Sequence, residues 1–196
     1  MSAYLKFPIH PSKLLSLSDA NWGAQDQSIP HPSSKLELLP FINRSISGFI
    51  IFHNGPIHWV SKRQNITARS SAEAEIYATD ECVKNLLRLT HIIKDLNCSN
   101  IYIPTDSPIR VFNDNNACVC WSKSTTTKGL RHISIRDNAV RESVANKTIS
   151  VHHIDGKINL ADIFTKEIKD NQSFLTMRDY ITSLAPSPVL ITHSSE

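Results

Sequence analysis

The first third of the chain has the apolar and polar patterning of β-strands. Residues 13–19 alternate with the strand period of two. Two further runs, at residues 47–53 and 56–62, flank an Asn54-Gly55 pair, which is the strongest short-range signal for a β-hairpin. Residues 25–45 are polar and contain three prolines, which indicates a long loop insertion. We therefore expect a meander of three antiparallel strands.

The pattern becomes helical at Ser70. Residues at spacings of three and four form one stripe over about six turns, with a serine at or near the N-cap and acidic residues in the first turn. The members of this stripe are Glu75, Ala78, Cys82, Leu86, Leu89, Ile93 and Leu96. This pattern predicts a long helix that packs one face against the rest of the protein.

The remaining chain alternates between strand and helix patterns. Strands are expected at residues 109–114 and 149–154, and helices at residues 115–121, at residues 131–145 and from Asn159, a candidate N-cap. Three antiparallel strands followed by alternating β and α elements predict an α/β fold. Its core is a mixed five-stranded sheet that is flanked by helices.

The length and composition favour one domain of ordinary size. The chain has 196 residues, of which 40% are hydrophobic and 20% are charged, so a sizeable core can form. We assign residues 1–12 to an N-terminal linker, residues 13–170 to the domain, with the 25–45 loop inside it, and residues 171–196 to a C-terminal tail.

The charge and the cysteines limit the cellular setting. The net charge of +3 permits a polyanionic partner without requiring one. No apolar run reaches the ~18 residues that a membrane span needs, and no signal-peptide core is present near the start. The four cysteines form no Cys-x-x-Cys pair, which favours reduced thiols over a zinc site. We expect an intracellular protein, cytoplasmic or nuclear, that is neither secreted nor in a membrane.

Four acidic residues lie where a solvated charge is not expected. Glu75 is on the apolar stripe of the long helix, and Asp19 shares its strand face with two leucines. Asp114 ends the fourth strand, and Asp162 lies in the first turn of the expected last helix. Strand ends and adjoining helix starts are where ligands gather in α/β sheets.

Four carboxylates brought together repel one another, so a cation is expected to balance them. Ligands that are all oxygen favour Mg²⁺ or Mn²⁺ over Zn²⁺, and two such ions about 3.5–4 Å apart support phosphodiester cleavage. Each acid also has an ordinary interpretation. Asp114 and Asp162 suit helix starts and Asp19 suits a turn, whereas Glu75 on a core-facing stripe needs a partner.

Several short motifs follow one another over residues 14–169. They are Ser18-Asp-Ala-Asn-Trp22, Ser45-Ile-Ser-Gly-Phe49, Ile57-His-Trp-Val-Ser-Lys-Arg-Gln64, Ser70-Ser-Ala-Glu-Ala-Glu-Ile-Tyr-Ala78, Phe112-Asn-Asp-Asn115, Arg131-His-Ile133, Arg141-Glu142 and Ala161-Asp-Ile-Phe-Thr-Lys166. Together they resemble the ribonuclease H domain of copia-type LTR retrotransposon polyproteins. One departure is Asn138, where the copia-type pattern usually has a histidine.

The resemblance implies a ribonuclease H-like fold and an enzyme that hydrolyses the RNA strand of RNA–DNA hybrids during reverse transcription. The acids that hold two Mg²⁺ ions in this family, with Mn²⁺ as a substitute, correspond to Asp19, Glu75, Asp114 and Asp162. Glu73 is the alternative to Glu75. The resemblance further implies that Asp19 bridges the two metal ions.

The resemblance also suggests partners and a product-release residue. His153, or its neighbour His152, precedes Asp162 at a distance that suits the mobile histidine of some ribonucleases H. The expected partners are an RNA–DNA hybrid and the reverse transcriptase domain of the same polyprotein. The expected location is cytoplasmic, within virus-like particles, or nuclear. The sequence does not fix the oligomeric state.

Basic residues before the long helix and after the short one are candidates for phosphate contacts. The candidates for contact with nucleic acid are Lys62, Arg63, Lys123, Lys128, Arg131 and His132. A solvated helix face is the ordinary interpretation of the same charges. A catalytically inactive remnant that only binds nucleic acid, or that scaffolds a polymerase, is the alternative function. A related integrase or resolvase is disfavoured because Glu75 and Asp162 lie in different places from the acids of those enzymes.

Overall fold

A mixed sheet of five strands forms the centre of the protein. The computed structural model describes residues 14–24, 44–53, 55–95, 107–124 and 138–183. The strands are β1 (Leu15–Asn21), β2 (Ile46–Phe52), β3 (Pro56–Arg63), β4 (Ile109–Asn113) and β5 (Ile149–His153). Their spatial order is β3-β2-β1-β4-β5.

The pairing of the strands changes direction at β1. This strand pairs antiparallel with β2, and β2 pairs antiparallel with β3 across the expected hairpin. On its other side β1 pairs parallel with β4, and β4 pairs parallel with β5. The predicted α/β fold with a mixed five-stranded sheet is confirmed. Because β1 and β4 run parallel, their carboxyl ends lie beside each other at the same edge of the sheet. Ligand sites form at such positions in sheets of this type.

Three helices cover one face of the sheet. They are α1 (Ser71–Asp95), α2 (Asn116–Lys123) and α3 (Asn138–Ala145). Apolar side chains of α1 pack with those of the strands, for example Ile76 and Leu86 with Phe49 and Val111. Burying this stripe removes apolar area from water, which is the main driving force for folding. Among the helices that the structure describes, none is long and apolar enough to cross a bilayer.

A smaller apolar cluster lies on the opposite face. Leu15, Leu17 and Ile50 of the sheet pack with Leu160, and Met177 of α4 (Asn171–Ser183) packs against the same cluster. Residues 171–183 of the expected C-terminal tail therefore form a helix that packs on this cluster. The apolar residues of α4 have only a weak helical spacing, because one side of this helix packs against the domain, and the sequence pattern therefore did not predict it. Residues 184–196 lie outside the described residues.

The segment around Asp162 differs from the expected helix. It forms two 3₁₀ turns, Gly156–Ile158 and Leu160–Phe164, in place of one α-helix. The Asn159 side chain caps the second turn, as expected, by accepting a hydrogen bond from the Ala161 N–H. Its amide nitrogen also donates to the buried Ser18 carbonyl, which ties the turn to β1 at 3.0 Å. This anchor and a separate cap at Asp155 start two short turns in succession, which favours 3₁₀ geometry over a continuous helix.

Some predicted elements lie wholly or partly outside the described residues. These are the linker at 1–12, most of the loop at 25–45 and the first part of the helix expected at 131–145. The described end of that helix is α3, and Asn138 begins it.

Candidate metal centre

Three carboxylates from distant parts of the chain meet at the end of β1. Asp19 lies in β1, Glu75 lies in the first turns of α1, and Asp114 directly follows β4. One carboxylate oxygen from each lies within 4.8 Å of the others. Asp19 is 0% exposed and Glu75 is 6% exposed, so neither charge is well solvated. Glu73, the alternative in the sequence, instead accepts a hydrogen bond from the Arg69 N–H before α1.

Both oxygens of the Asp19 carboxylate have partners. The Thr165 hydroxyl donates to Oδ2, and the Lys166 ammonium donates to Oδ1 at 3.2 Å. These partners follow the second 3₁₀ turn, so this turn fixes the position of the most buried acid. Asp19 pairs with Gly48 across β1 and β2, and Gly48 lets the turn approach the sheet closely.

Asp162 joins the site through Lys166. The Lys166 ammonium donates to Asp162 Oδ1 at 2.9 Å and so bridges this acid to Asp19. Asp162 is not part of the group of three. Burial and the nearby charges of Asp19 and Asp114 nevertheless raise the pKa of Asp162, so its carboxylate lies close enough to interact with theirs. The structure thus brings three of the four predicted acids together and places the fourth beside Asp19.

A buried amide holds Glu75 in place. Asn113 Nδ2 donates to Glu75 Oε2 at 2.9 Å, and it also lies near the hydroxyls of Ser18 and Thr79. These two hydroxyls hydrogen-bond to each other at 3.1 Å, so β1, α1 and β4 share one polar network beneath the carboxylates. A satisfied buried network of this kind fixes side-chain positions because its members have no water to replace a lost partner.

The pKa values of Glu75, Asp114 and Asp162 are raised, first by burial and then by the charges of neighbouring acids. Burial raises the pKa of Glu75 to about 8, with the charge of Asp19 adding to the effect. Burial and Asp19 likewise raise the pKa of Asp162 to about 7 and raise that of Asp114. Burial lowers the pKa of Lys166, but the charges of Asp19 and Asp162 outweigh it and leave the value above its ordinary range. Full ionisation of these acids is therefore unfavourable in the folded protein, even with the positive charge of Lys166 beside them.

This donor set fits a hard divalent cation. The ligand atoms are carboxylate oxygens, and three of them already lie within 4.8 Å of one another. Burial, together with the charge of Asp19, raises the pKa values of Glu75 and Asp114. Clustered oxygen ligands of high negative charge suit Mg²⁺ and Mn²⁺. A bound cation would relieve the repulsion that the folded chain now bears. The arrangement is compatible with the predicted divalent metal.

The chain that follows β5 passes close to the Asp114 side chain at Gly156. A Cβ atom at Gly156 would lie 2.9 Å from Asp114 Oδ2, so only glycine leaves the carboxylate its present position. His153, at the end of β5, is exposed and its Nε2 lies 3.1 Å from the Asp114 backbone oxygen. His152 instead contacts Ser150 Oγ at 2.8 Å. Of the two histidines, His153 is therefore the one beside the acids, and its role in product release stays a prediction.

Gly48→Ala is expected to destabilise the site because the new methyl group has no room. Its Cβ would lie 2.5 Å from Thr165 Cγ2 and 2.9 Å from Phe164 Cβ. Overpacking of this kind costs about 1–3 kcal/mol in the free energy of unfolding, which urea denaturation measures. Adding Thr165→Ser removes the nearer methyl group but keeps the hydroxyl that binds Asp19, so the double variant should regain part of the loss. Equal stability of wild type and Gly48→Ala would contradict this packing argument.

The basic residues predicted to contact nucleic acid have different surroundings. Lys62 pairs with Glu81 at 2.6 Å on the surface. The Arg63 guanidinium faces the carbonyl oxygens of Ala24 and Arg44, so it also ties the ends of β1 and β2 to β3. Lys123 is exposed at the end of α2. The three other candidates, Lys128, Arg131 and His132, lie outside the described residues. Contact of these six residues with nucleic acid stays a prediction.

Several residues that shape the site were assigned no role from the sequence. They are Asn113, Thr165 and Lys166, together with Gly48, which packs against the turn that carries Asp162, and Gly156, which packs against Asp114. One usable signal was the spacing of Asp162 and Lys166, because residues four apart on a helix or tight turn can pair. Asn113 belongs to the motif Phe112-Asn-Asp-Asn115, but the motif indicates no role for it. It occupies a buried strand position that an apolar residue would normally take.

Comparison with known proteins identifies sequence relatives among yeast transposons. The Transposon Ty1-LR3 Gag-Pol polyprotein of Saccharomyces cerevisiae is 26% identical over 164 residues, which is 82% of this chain. The Transposon Ty1-NL2 Gag-Pol polyprotein of the same yeast is 26% identical over 159 residues, or 80% of the chain. The chain spans only 8% of the length of either polyprotein. No protein-family model matches it.

Comparison with solved structures identifies the fold. LC11-RNase H1, isolated from compost by a metagenomic approach, superposes with a TM-score of 0.52 at 13% identity. The match covers 79% of this chain and 93% of LC11-RNase H1. The fold is that of ribonuclease H. The predicted resemblance to the ribonuclease H domain of copia-type polyproteins is confirmed by the Ty1 relatives and by this fold together.

Proposed function

From the relationship to Ty1 Gag-Pol polyproteins and the ribonuclease H fold, we propose that the chain is a divalent-metal-dependent ribonuclease H. Its substrate is an RNA–DNA hybrid, of which it hydrolyses the RNA strand during retrotransposon reverse transcription. The products carry a 3′-hydroxyl and a 5′-phosphate.

The observation that carries this proposal is the cluster of Asp19, Glu75 and Asp114, with Asp162 beside it. These acids come from β1, α1, the end of β4 and the turn before α4, and only the fold brings them together. A structural role does not require three carboxylates within 4.8 Å, because their repulsion weakens the folded state. A site for cations that neutralise phosphate charge accounts for them.

Each side chain has a role in this proposal. Asp19, Glu75, Asp114 and Asp162 would hold two Mg²⁺ ions, or Mn²⁺ in their place, and Asp19 would be the acid shared between them. Bound there, the ions would neutralise the charge that develops on the phosphate during hydrolysis. Thr165 orients the Asp19 carboxylate and Asn113 orients that of Glu75, so both acids are fixed before substrate arrives.

The hybrid and the polymerase are the proposed partners. A hybrid is recognised by its shape, its phosphates and its 2′-hydroxyl groups, so little base specificity is expected. Lys62 and Lys123 are exposed on the described surface and supply cations for phosphate contacts. The Ty1 relatives carry the matching segment within a Gag-Pol polyprotein. We propose that this chain likewise works beside the reverse transcriptase domain of its own polyprotein.

The proposal predicts cleavage that depends on both hybrid and metal. A labelled RNA strand annealed to DNA should be cut when Mg²⁺ or Mn²⁺ is present, and a chelator should abolish the products on a denaturing gel. The same RNA as a single strand or as an RNA duplex is the matched control and should stay intact. Salt-dependent binding of the hybrid without metal-dependent cutting would instead support the inactive nucleic-acid-binding alternative.

A further inference from the structure

One positive charge is built into the candidate metal centre. The Lys166 ammonium lies 3.2 Å from Asp19 Oδ1 and 2.9 Å from Asp162 Oδ1. It reaches both acids from a position four residues beyond Asp162, just after the 3₁₀ turn. The side chain is 39% exposed, whereas the Asp19 side chain that it contacts is 0% exposed. A flexible, partly exposed cation thus bridges two acids from separate elements.

The Lys166 ammonium occupies a position close to where a divalent ion would bind the same two acids. Asp19 Oδ2 already accepts a hydrogen bond from Thr165, so Oδ1 is the oxygen that Lys166 holds. An ion that takes Asp19 Oδ1 and Asp162 Oδ1 as ligands binds the two oxygens that the ammonium contacts. Two cations sharing these oxygens would repel each other strongly over so short a distance. Binding of an ion through these two oxygens therefore competes with the Lys166 bridge.

We infer that Lys166 is a tethered cation that holds Asp19 and Asp162 together before metal binds and that the incoming metal displaces. This inference rests on the metal use in the proposed function, but it concerns a residue to which that function assigns no part. Lys166 acts through the two acids and is a positioning residue. Its long, partly exposed side chain has solvent to move into when the bridge opens.

A purely structural ion pair makes a different prediction from this exchange. In both cases loss of the ammonium destabilises the metal-free protein, because the buried Asp19 loses a partner. A structural pair also organises the ligands, so its loss should weaken metal binding. An ammonium that competes with the ion should do the opposite, and its loss should strengthen metal binding. The direction of the change in affinity therefore separates the two.

The first test measures Mn²⁺ affinity in Lys166→Gln by following the free ion with electron paramagnetic resonance. Lys84→Gln is the matched control, because Lys84 is exposed on α1 and the same charge is removed. We expect Lys166→Gln to bind Mn²⁺ about tenfold more tightly than wild type, the size of one close charge interaction. The control should bind as wild type does. Unchanged or weaker binding by a folded Lys166→Gln protein would overturn the inference.

The second test uses the wild-type chain and decides the matter if Lys166→Gln does not fold. An amine-specific reagent modifies lysines, and mass spectrometry gives the rate at each position. Mg²⁺ should accelerate modification of Lys166 several-fold, because the two carboxylates release the ammonium, and should leave Lys84 unchanged. A Lys166 rate that does not rise with Mg²⁺ would overturn the inference.

The outcomes separate this inference from the proposed function. Metal-dependent cleavage of a hybrid without a response at Lys166 retains the function and removes the exchange. A response at Lys166 without cleavage retains the exchange as a property of the metal centre and removes the ribonuclease activity. Both measurements at Lys166 are made without nucleic acid, so neither depends on turnover.

Discussion

Asp19→Asn is expected to lower the rate of hybrid cleavage by about 10³-fold or more, which corresponds to about 4 kcal/mol in activation free energy. Asp19 is fully buried, and one of its carboxylate oxygens lies within 4.8 Å of oxygens of Glu75 and Asp114. The substitution removes a negative charge from the centre of the site but keeps the shape of the side chain. An amide compensates less of the charge of the bound cations than a carboxylate does. The variant should therefore have a lower affinity for the metal and a lower rate of cleavage when the metal is bound.

The structure indicates that this variant should fold. The Thr165 hydroxyl can donate to the asparagine oxygen as it does to the carboxylate, and removing one of three crowded charges relieves repulsion. Asp95→Asn is the matched control, because Asp95 is exposed at the end of α1, and it should cleave at the wild-type rate. The measurement is the initial rate on a labelled hybrid at saturating Mg²⁺. A folded Asp19→Asn protein that cleaves within tenfold of wild type would remove the catalytic role of the acid cluster.

The elements that the sequence predicted well are those with local signals. The Asn-Gly pair predicted a hairpin, and β2 and β3 do pair antiparallel. The spacing of Glu75, Cys82 and Leu86 predicted the side of α1 that is buried. Glu75 was also predicted from a local signal, because it is an acidic residue within an apolar helical stripe. A polar residue at a buried position is a conflict between local and global preference, and such conflicts concentrate at functional sites.

The parts that the sequence did not predict depend on contacts between distant residues. Asn159 gives a valid helix-cap signal, but its buried amide also binds the Ser18 carbonyl, and two short turns result. The bridge from Lys166 to Asp19 joins residues 147 positions apart, so no local pattern contains it. The same holds for Gly48, whose importance comes from the turn that packs on it after the chain has folded.

The apo site also predicts how stability changes with pH. Folding raises the pKa of Glu75 from 4.5 to about 8, so between these values the folded state binds more protons than the unfolded state. Stability from this group is fully present below pH 4.5 and is lost as the pH rises through about 8. One carboxyl contributes at most about 1.4 kcal/mol per pH unit to the slope. Asp162 acts in the same direction between 3.8 and about 7.

Mg²⁺ should reverse this loss, because it binds the deprotonated acids. In metal-free buffer, the urea concentration at the unfolding midpoint should decrease as the pH is raised from about 5 to about 9. Saturating Mg²⁺ should increase this midpoint concentration, and the increase should be largest at the alkaline end of the range. Glu75→Gln has no charge to titrate at this position, so both the fall and the Mg²⁺ effect should shrink. Sodium chloride at matched ionic strength controls for screening. Protons and cations compete for the same carboxylate oxygens, so the Mg²⁺ effect should depend on pH and on Glu75. A Mg²⁺ effect of equal size at both ends of the pH range, or of equal size in wild type and Glu75→Gln, would show that metal binding at these acids does not stabilise the fold.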